Sequence, residues 1–224
     1  MIGVLIVIAA SAVLLPYAFT VVPVQQQADA EQNETFDPAR YVDGIWDRIV
    51  STILEDAVSL ADVLNAVEPD AGGFVPKAEL IEVAERFGQI TVGEAHVYMV
   101  KASGTVGEVD TSSSRGTMDV RIEGYPGPIT VKVYVGPRLP SDESSVRDAV
   151  GFISFGDFKD QTEYGKVSAE INKRVSAGVL STLDKDALEG REVAFVGALT
   201  VRTFNLVSID VSEVNVVPIS VTAR

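Results

Sequence analysis

None of the 224 positions of the chain is cysteine. That removes disulfides, thiolate metal sites, cysteine nucleophiles and a lipid-bearing cysteine, and leaves stability to packing. Histidine is nearly as scarce, His96 being the single one. A metal or acid/base centre needs several converging groups, and one imidazole in a strand pattern has none to join, so His96 reads as a structural or surface residue. Positive charge is also short: 18 basic against 32 acidic residues give a formal net charge of −14. Such a chain repels phosphate backbones and anionic headgroups, which argues against a nucleic-acid partner. There is no GxSxG elbow, P-loop or dinucleotide-binding glycine pattern. These absences lead to the expectation of a non-enzyme with no catalytic residues, no cofactor and no metal.

Charge is missing altogether from Ile2 to Val24, MIGVLIVIAASAVLLPYAFTVVPV with the initial methionine. A helix of that length covers roughly 30–35 Å, about one bilayer hydrocarbon core. The segment lacks the basic start of a cleavable signal, and although Ala28-Asp29-Ala30 offers a small-x-small cleavage site, the long apolar run favours an uncleaved transmembrane anchor over residues 1–24. Pro16 would kink such a helix. No Lys or Arg occurs before Arg40, so the positive-inside rule has little to act on in setting orientation.

What remains is amply hydrophobic, 46% of the chain, against 22% charged, enough for one or two ordinary cores. After a polar linker at 25–35, Asp37-Pro38 opens a helical pattern with Val42, Ile45, Trp46, Ile49, Val50 and Ile53 on one stripe. The period continues loosely to Val67, stops at Pro69 and Gly72-Gly73, and is followed by a short helix from Pro76 to Arg86. Residues 36–88 therefore read as a small helical domain. Strand patterns follow over His96 to Val109, Gly116 to Glu123 and Ile129 to Val135, as a meander. Tyr164, Val167, Ile171, Val175, Val179 and Leu183 mark an amphipathic helix from Gln161 to Leu183. Two more strand patterns, Glu192 to Arg202 and Val214 to Thr222, finish the chain. Three strands, a helix and two strands is the order of a five-stranded Greek-key barrel of the oligonucleotide/oligosaccharide-binding (OB) kind, here over residues 89–224. The stretch Pro137 to Asp160 is too long for a plain loop and contains the alternating GFISFGDF, which predicts an extra strand. The fold class is thus α+β.

Several stretches together resemble a known family. They are Gly136-Pro137, VRDAVGFISFGDFKDQTEYGKVSAEIN from Val146 to Asn172, REVAFVGAL from Arg191 to Leu199, and the terminal VVPISV. SGTVGEVDTSSSRGTMDV from Ser103 to Val120 looks like the same family's first barrel hairpin, and FDPARYVDGIW like the start of its helical part. The family is the predicted periplasmic lipoproteins of domain of unknown function 2291. The resemblance implies an extracytoplasmic protein with a helical part and a barrel, often encoded beside sugar transporters of the ATP-binding-cassette type, and no known catalytic residues. This sequence departs from the family pattern in having no cysteine to carry lipid, and in replacing the usual Gly-Thr before Arg147-Asp148 with Pro140-Ser141-Asp142-Glu143-Ser144-Ser145.

The polar candidates each carry two readings. Arg147 could hold the Asp148 carboxylate inside the fold or present its fork to a sugar. Phe152, Phe155, Phe158 and Tyr164 could be core or an aromatic wall for apolar sugar faces. Arg115, near the tip of a serine-rich hairpin, and Gln161, opening the long helix, complete a candidate ligand-binding set of Arg115, Arg147, Asp148, Gln161 and Tyr164. Asp157 with Asp160, or Asp142 with Glu143, could bind a cation, but close carboxylates are expected by chance in so acidic a chain. The expectation is a single-pass membrane protein, held by residues 2–24, with a non-enzymatic body on the extracytoplasmic side. It would assist sugar uptake through transporter components or a carbohydrate. The alternatives are an envelope scaffold without small ligand and, third, a carbohydrate-active enzyme.

Overall fold

The structure, a computed structural model, describes residues 36–224. The expected membrane helix and linker lie outside the described residues. Among those described, no helix is long and apolar enough to cross a membrane.

Residues 38–224 form one compact unit. The first helix, α1 (Pro38–Asp56), buries Val42, Ile49 and Ile53 of the anticipated stripe. The helical period breaks at β1 (Val58–Ser59), which pairs parallel with Val100 and Lys101. Ser59 then caps α2 (Leu60–Asn65), its hydroxyl accepting from the Asp62 amide. A short strand β2 (Phe74–Pro76) precedes α3 (Lys77–Phe87) and β3 (Gln89–Ile90).

Five longer strands carry the body: β4 (His96–Asp110), β5 (Thr117–Ile122), β6 (Thr130–Tyr134), β7 (Glu192–Val201) and β9 (Glu213–Ala223). The strand β8 (Ser208–Asp210) lies between the last two in sequence and pairs with β2 instead. β4 pairs with β5, β5 with β6, β6 in parallel with β9, β9 with β7, and β7 again with β4. The circuit therefore returns to its starting strand. β4 serves both β5 and β7, and the exchange falls at Gly104, which faces Ile122 and Val193. A β-carbon there would run into the Arg121 carbonyl, so only glycine permits the approach. A register shift at Val196/Gly197 bends β7 against β9 in the same way.

The circuit's core holds Val106, Met118, Val120, Val131, Val133, Phe195, Leu199 and Val216, and Leu60, Val63, Leu64, Leu80, Val83 and Ala84 of α2 and α3 join the same cluster. The helical and strand regions thus share apolar interior. A further buried set, Val167, Ile171 and Val175, belongs to α5 (Gln161–Gly178). That helix packs on α1 and on α4 (Ser145–Ala149), which in turn rest on β4 and β7.

Two expectations are corrected. No strand forms between residues 137 and 160; α4 and a 3-10 turn at Phe155–Asp157 occupy the stretch. Every strand of the circuit is already paired on both sides, so no edge is free to recruit another. Gly151 adopts a left-handed φ of 71°, and Ser154 and Asp157 close a reciprocal cap, both of which interrupt an extended path. The aromatic alternation instead serves helix contacts: Arg48 lies 3.8 Å over the Phe152 ring, and Phe158 meets Tyr41 edge-on at 5.3 Å. The long helix also stops at Gly178, short of Leu183, where the Ser181 and Thr182 hydroxyls donate to the Ala177 and Val179 carbonyls.

Candidate functional site

Three of the five candidate residues come together. Arg147 and Asp148 sit on α4 and Tyr164 on the first turn of α5, whose start is set by Asp160 accepting from the Thr162 and Glu163 amides. The Arg147 guanidinium donates from Nε to Asp148 Oδ1 at 2.8 Å, lies 2.7 Å from it through Nη2, and donates from Nη1 to the Tyr164 carbonyl at 3.1 Å. It also stacks 3.5 Å from the Tyr164 ring centroid. Tyr164 Oη donates to Asp148 Oδ1 at 3.1 Å, and the Ser144 hydroxyl donates to Oδ2 at 2.7 Å. Burial, with Asp148 beside it, pushes the Tyr164 phenol up to about 12. With both carboxylate oxygens engaged and the arginine side chain only 8% exposed, this group is largely spent on itself. Such an arrangement locks α4 against α5.

Arg115 and Gln161 lie elsewhere. Gln161 is exposed at the start of α5. Arg115 is exposed on the β4–β5 connection, and that turn is held against the end of β6 by Gly136 and Arg138 amides donating to the Gly116 and Ser114 carbonyls. There it lines an open polar cleft of about 380 Å³. The other walls are the β6–α4 connection (Pro140, Asp142 to Ser145), the end of β7 (Thr200 to Arg202) and the stretch from Ile209 to Asn215, with Tyr134 at the base of β6. Arg202 donates to the Asp142 carboxylate at 2.9 Å and to its carbonyl at 3.2 Å, tying two walls together. Both partners are about two-thirds exposed, so the pair adds little stability. The Ser145 and Thr200 hydroxyls are 2.8 Å apart, and Glu143 Oε1 accepts from the Ser145 amide at 2.7 Å. The Arg202 hydrogen bond holds the Asp142 carboxyl below its ordinary range, and the Ser212 hydroxyl does the same for Asp210. Burial, reinforced by Glu143 and Asp142, raises the Tyr134 phenol to about 12. Arg115 has no ion pair among the described residues.

Sequence reasoning named Arg115 but missed Arg202, whose partner Asp142 is sixty residues away in the chain. The paired carboxylates considered for a cation have local duties: Asp160 caps α5, Asp157 caps the 3-10 turn, Asp142 holds Arg202 and Glu143 holds Ser145. Among the described residues no group of three or more potential ligands could hold a metal ion.

The sheet circuit has one parallel closure between its third and fifth strands and a helical insertion after the third, and the family stretches run across it. The chain belongs to the predicted periplasmic lipoproteins of domain of unknown function 2291, matched over residues 5–222. Its cysteine-free sequence has no residue for the lipid attachment that the family description names. The crystal structure of an OB-fold protein from Thermotoga maritima superposes with a TM-score of 0.62, covering 85% of this chain and 100% of that one at 19% identity. That likeness establishes the OB fold. No curated protein matches the chain significantly.

In OB folds the connections after the first and fourth strands flank the ligand face. In this family member those are residues 111–116, with Arg115, and 202–212, with Arg202 and Asp210; both reach the cleft.

Proposed function

We propose that this protein is a non-enzymatic module, anchored in the membrane by residues 2–24 with its body on the extracytoplasmic side, that binds a carbohydrate in the Arg115/Arg202 cleft and so assists sugar uptake through an ATP-binding-cassette transporter. The observation that carries the reading is the cleft itself, a polar recess at the OB ligand position lined by guanidinium, carboxylate, hydroxyl and amide groups. Planar polar groups of these kinds match vicinal hydroxyls two at a time. Tyr134 adds a ring at the wall. The segment in which this sequence departs from its family, Pro140 to Ser145, supplies part of the lining, which suits a ligand of its own.

Two of the cleft's carboxylates, Asp142 and Asp210, suit binding better than hydrolysis. Glycoside cleavage needs a carboxylic acid kept protonated, hence a raised pKa. Asp142 and Asp210 are both shifted downward.

Thermal unfolding of the full chain in detergent, against pentoses, hexoses and sugar alcohols, tests the reading. A ligand at a hundred times its dissociation constant adds about 2.7 kcal/mol, which raises the midpoint by roughly 5–10 °C for a chain of this size. One sugar class should produce that shift, and Arg115→Ala should abolish it. No shift with any sugar would discard the carbohydrate and leave an envelope scaffold. Sugar uptake unaltered by deletion of the gene would discard the transport role.

A further inference from the structure

Eight large apolar side chains are exposed among the described residues, and six of them come from three short segments: Phe74, then Ile90 and Val92, then Phe204, Leu206 and Val207. The segments are tied to one another. β2 pairs with β8, the Lys77 amide donates to the Val207 carbonyl at 3.0 Å, the Thr203 hydroxyl donates to the Glu94 carbonyl, and Lys77 and Glu94 form an ion pair. Val92 and Val207 are nearly fully exposed, at 106% and 87%, and Phe204 stands at 63%. The two non-glycine residues with left-handed backbone among those described, Glu94 (φ 60°) and Asn205 (φ 57°), sit in these two loops.

Charge singles the patch out further. In a chain of net charge −14, residues 203–209 and 87–93 carry no charged side chain. Glu94, at the margin, is neutralised by Lys77, Arg202 borders the other side, and Asp70 and Asp210 flank Phe74, which stands apart from the uncharged tips. A concentrated, uncharged apolar patch on loop tips is what a soluble monomer avoids and what an interfacial insertion requires.

We propose that the tips at Val92 and at Phe204, Leu206 and Val207 dip into the interfacial region of the lipid bilayer and set the body's orientation on it. The inference rests on the reading that residues 2–24 enter that membrane. The linker, residues 25–35, spans at most about 40 Å when extended, so the body is kept beside the surface at the roughly millimolar local concentration that a short tether confers. Insertion too weak to hold a free protein then suffices to orient a tethered one. The occupant is the neutral acyl and glycerol region, since the acidic surface repels anionic headgroups. Arg202 links the patch to the cleft, because the 202–212 connection carries the apolar tip and also forms one cleft wall.

The cysteine-free chain permits a clean test. Val207→Cys and, as a control outside the three segments, Asp186→Cys are made in the full chain, labelled with an environment-sensitive fluorophore and reconstituted into phosphatidylcholine vesicles. Flotation is scored alongside. The expected result is a shift to shorter wavelength and quenching by bromine-labelled acyl chains at 207 and not at 186, both reduced by adding Phe204→Ser and Leu206→Ser. Vesicles that float with protein while the 207 label stays water-like would overturn the inference and leave the anchor reading standing. Failure to float would remove the anchor and the inference together. Shielding of position 207 in native membranes but not in lipid vesicles would mean that a protein covers the patch, which also overturns it.

Discussion

Two polar assemblies adjoin at Ser144, which donates to Asp148 and also lines the cleft, and they have opposite characters. Around Arg147 both carboxylate oxygens of Asp148 accept hydrogen bonds, the guanidinium is stacked on Tyr164, and the arginine is buried. Around Arg115 and Arg202 the side chains are exposed and face a recess. The first spends its hydrogen-bonding capacity on the fold, and the second keeps capacity for something outside it. The same residue type, arginine beside aspartate, therefore does different work according to whether water or protein completes its shell.

The contrast breaks most sharply at Arg147. Arg147→Ala leaves the Asp148 carboxylate buried without its counter-charge and should cost about 3–5 kcal/mol, read as a fall in the urea midpoint. A loss below about 1 kcal/mol would show that the cluster is solvated like the cleft. His96 gives an intermediate case, a fully buried ring with neither nitrogen hydrogen-bonded. Burial, aided by the Lys77 charge, depresses its pKa. The folded value lies below the ordinary 6.5, so stability is complete above that pH and declines as pH falls through the window beneath it, where the unfolded chain takes up the proton first. His96→Leu should flatten this acid-side decline in midpoints measured from pH 7.5 to 5, and an unchanged slope would place the titration elsewhere.

A smaller effect is expected of Tyr164→Phe, which keeps the ring over Arg147 and removes one hydrogen bond to Asp148, for about 1 kcal/mol. Smallest of all should be Arg115→Ala and Arg202→Ala, each within about 0.5 kcal/mol of the parent in denaturant midpoint. A large loss for either would mean that the cleft is structural, and the comparison would collapse.

Much of the chain's order was legible from spacing. The stripe of α1, the alternation of β4 to β6, and the strong period of α5 each reappear within a few residues of expectation. GFISFGDF misled because closely spaced aromatic residues also occur where an irregular stretch packs on helices, here Phe152 and Phe158 on α1 and Phe155 on Tyr164 of α5, and only the paired edges of the finished sheet show which applies. Of the candidate residues, Arg147, Asp148 and Tyr164 converge because α4 and α5 are near in sequence. Gln161 is placed on the exposed side of its helix by the turn that Asp160 caps.

Composition and local periodicity, which depend only on neighbours along the chain, were enough to determine the order of the long helices and the five main strands, the exclusion of cysteine chemistry and the acidic character. The closure of β7 onto β4, the meeting of Tyr164 with Arg147 and Asp148, the meeting of Arg202 with Asp142 and the gathering of apolar tips were decided by the tertiary structure alone. Hydrogen bonds and burial act through space, and the residues that complete these groups stand 16, 17 or 60 positions apart, beyond the reach of any sequence period.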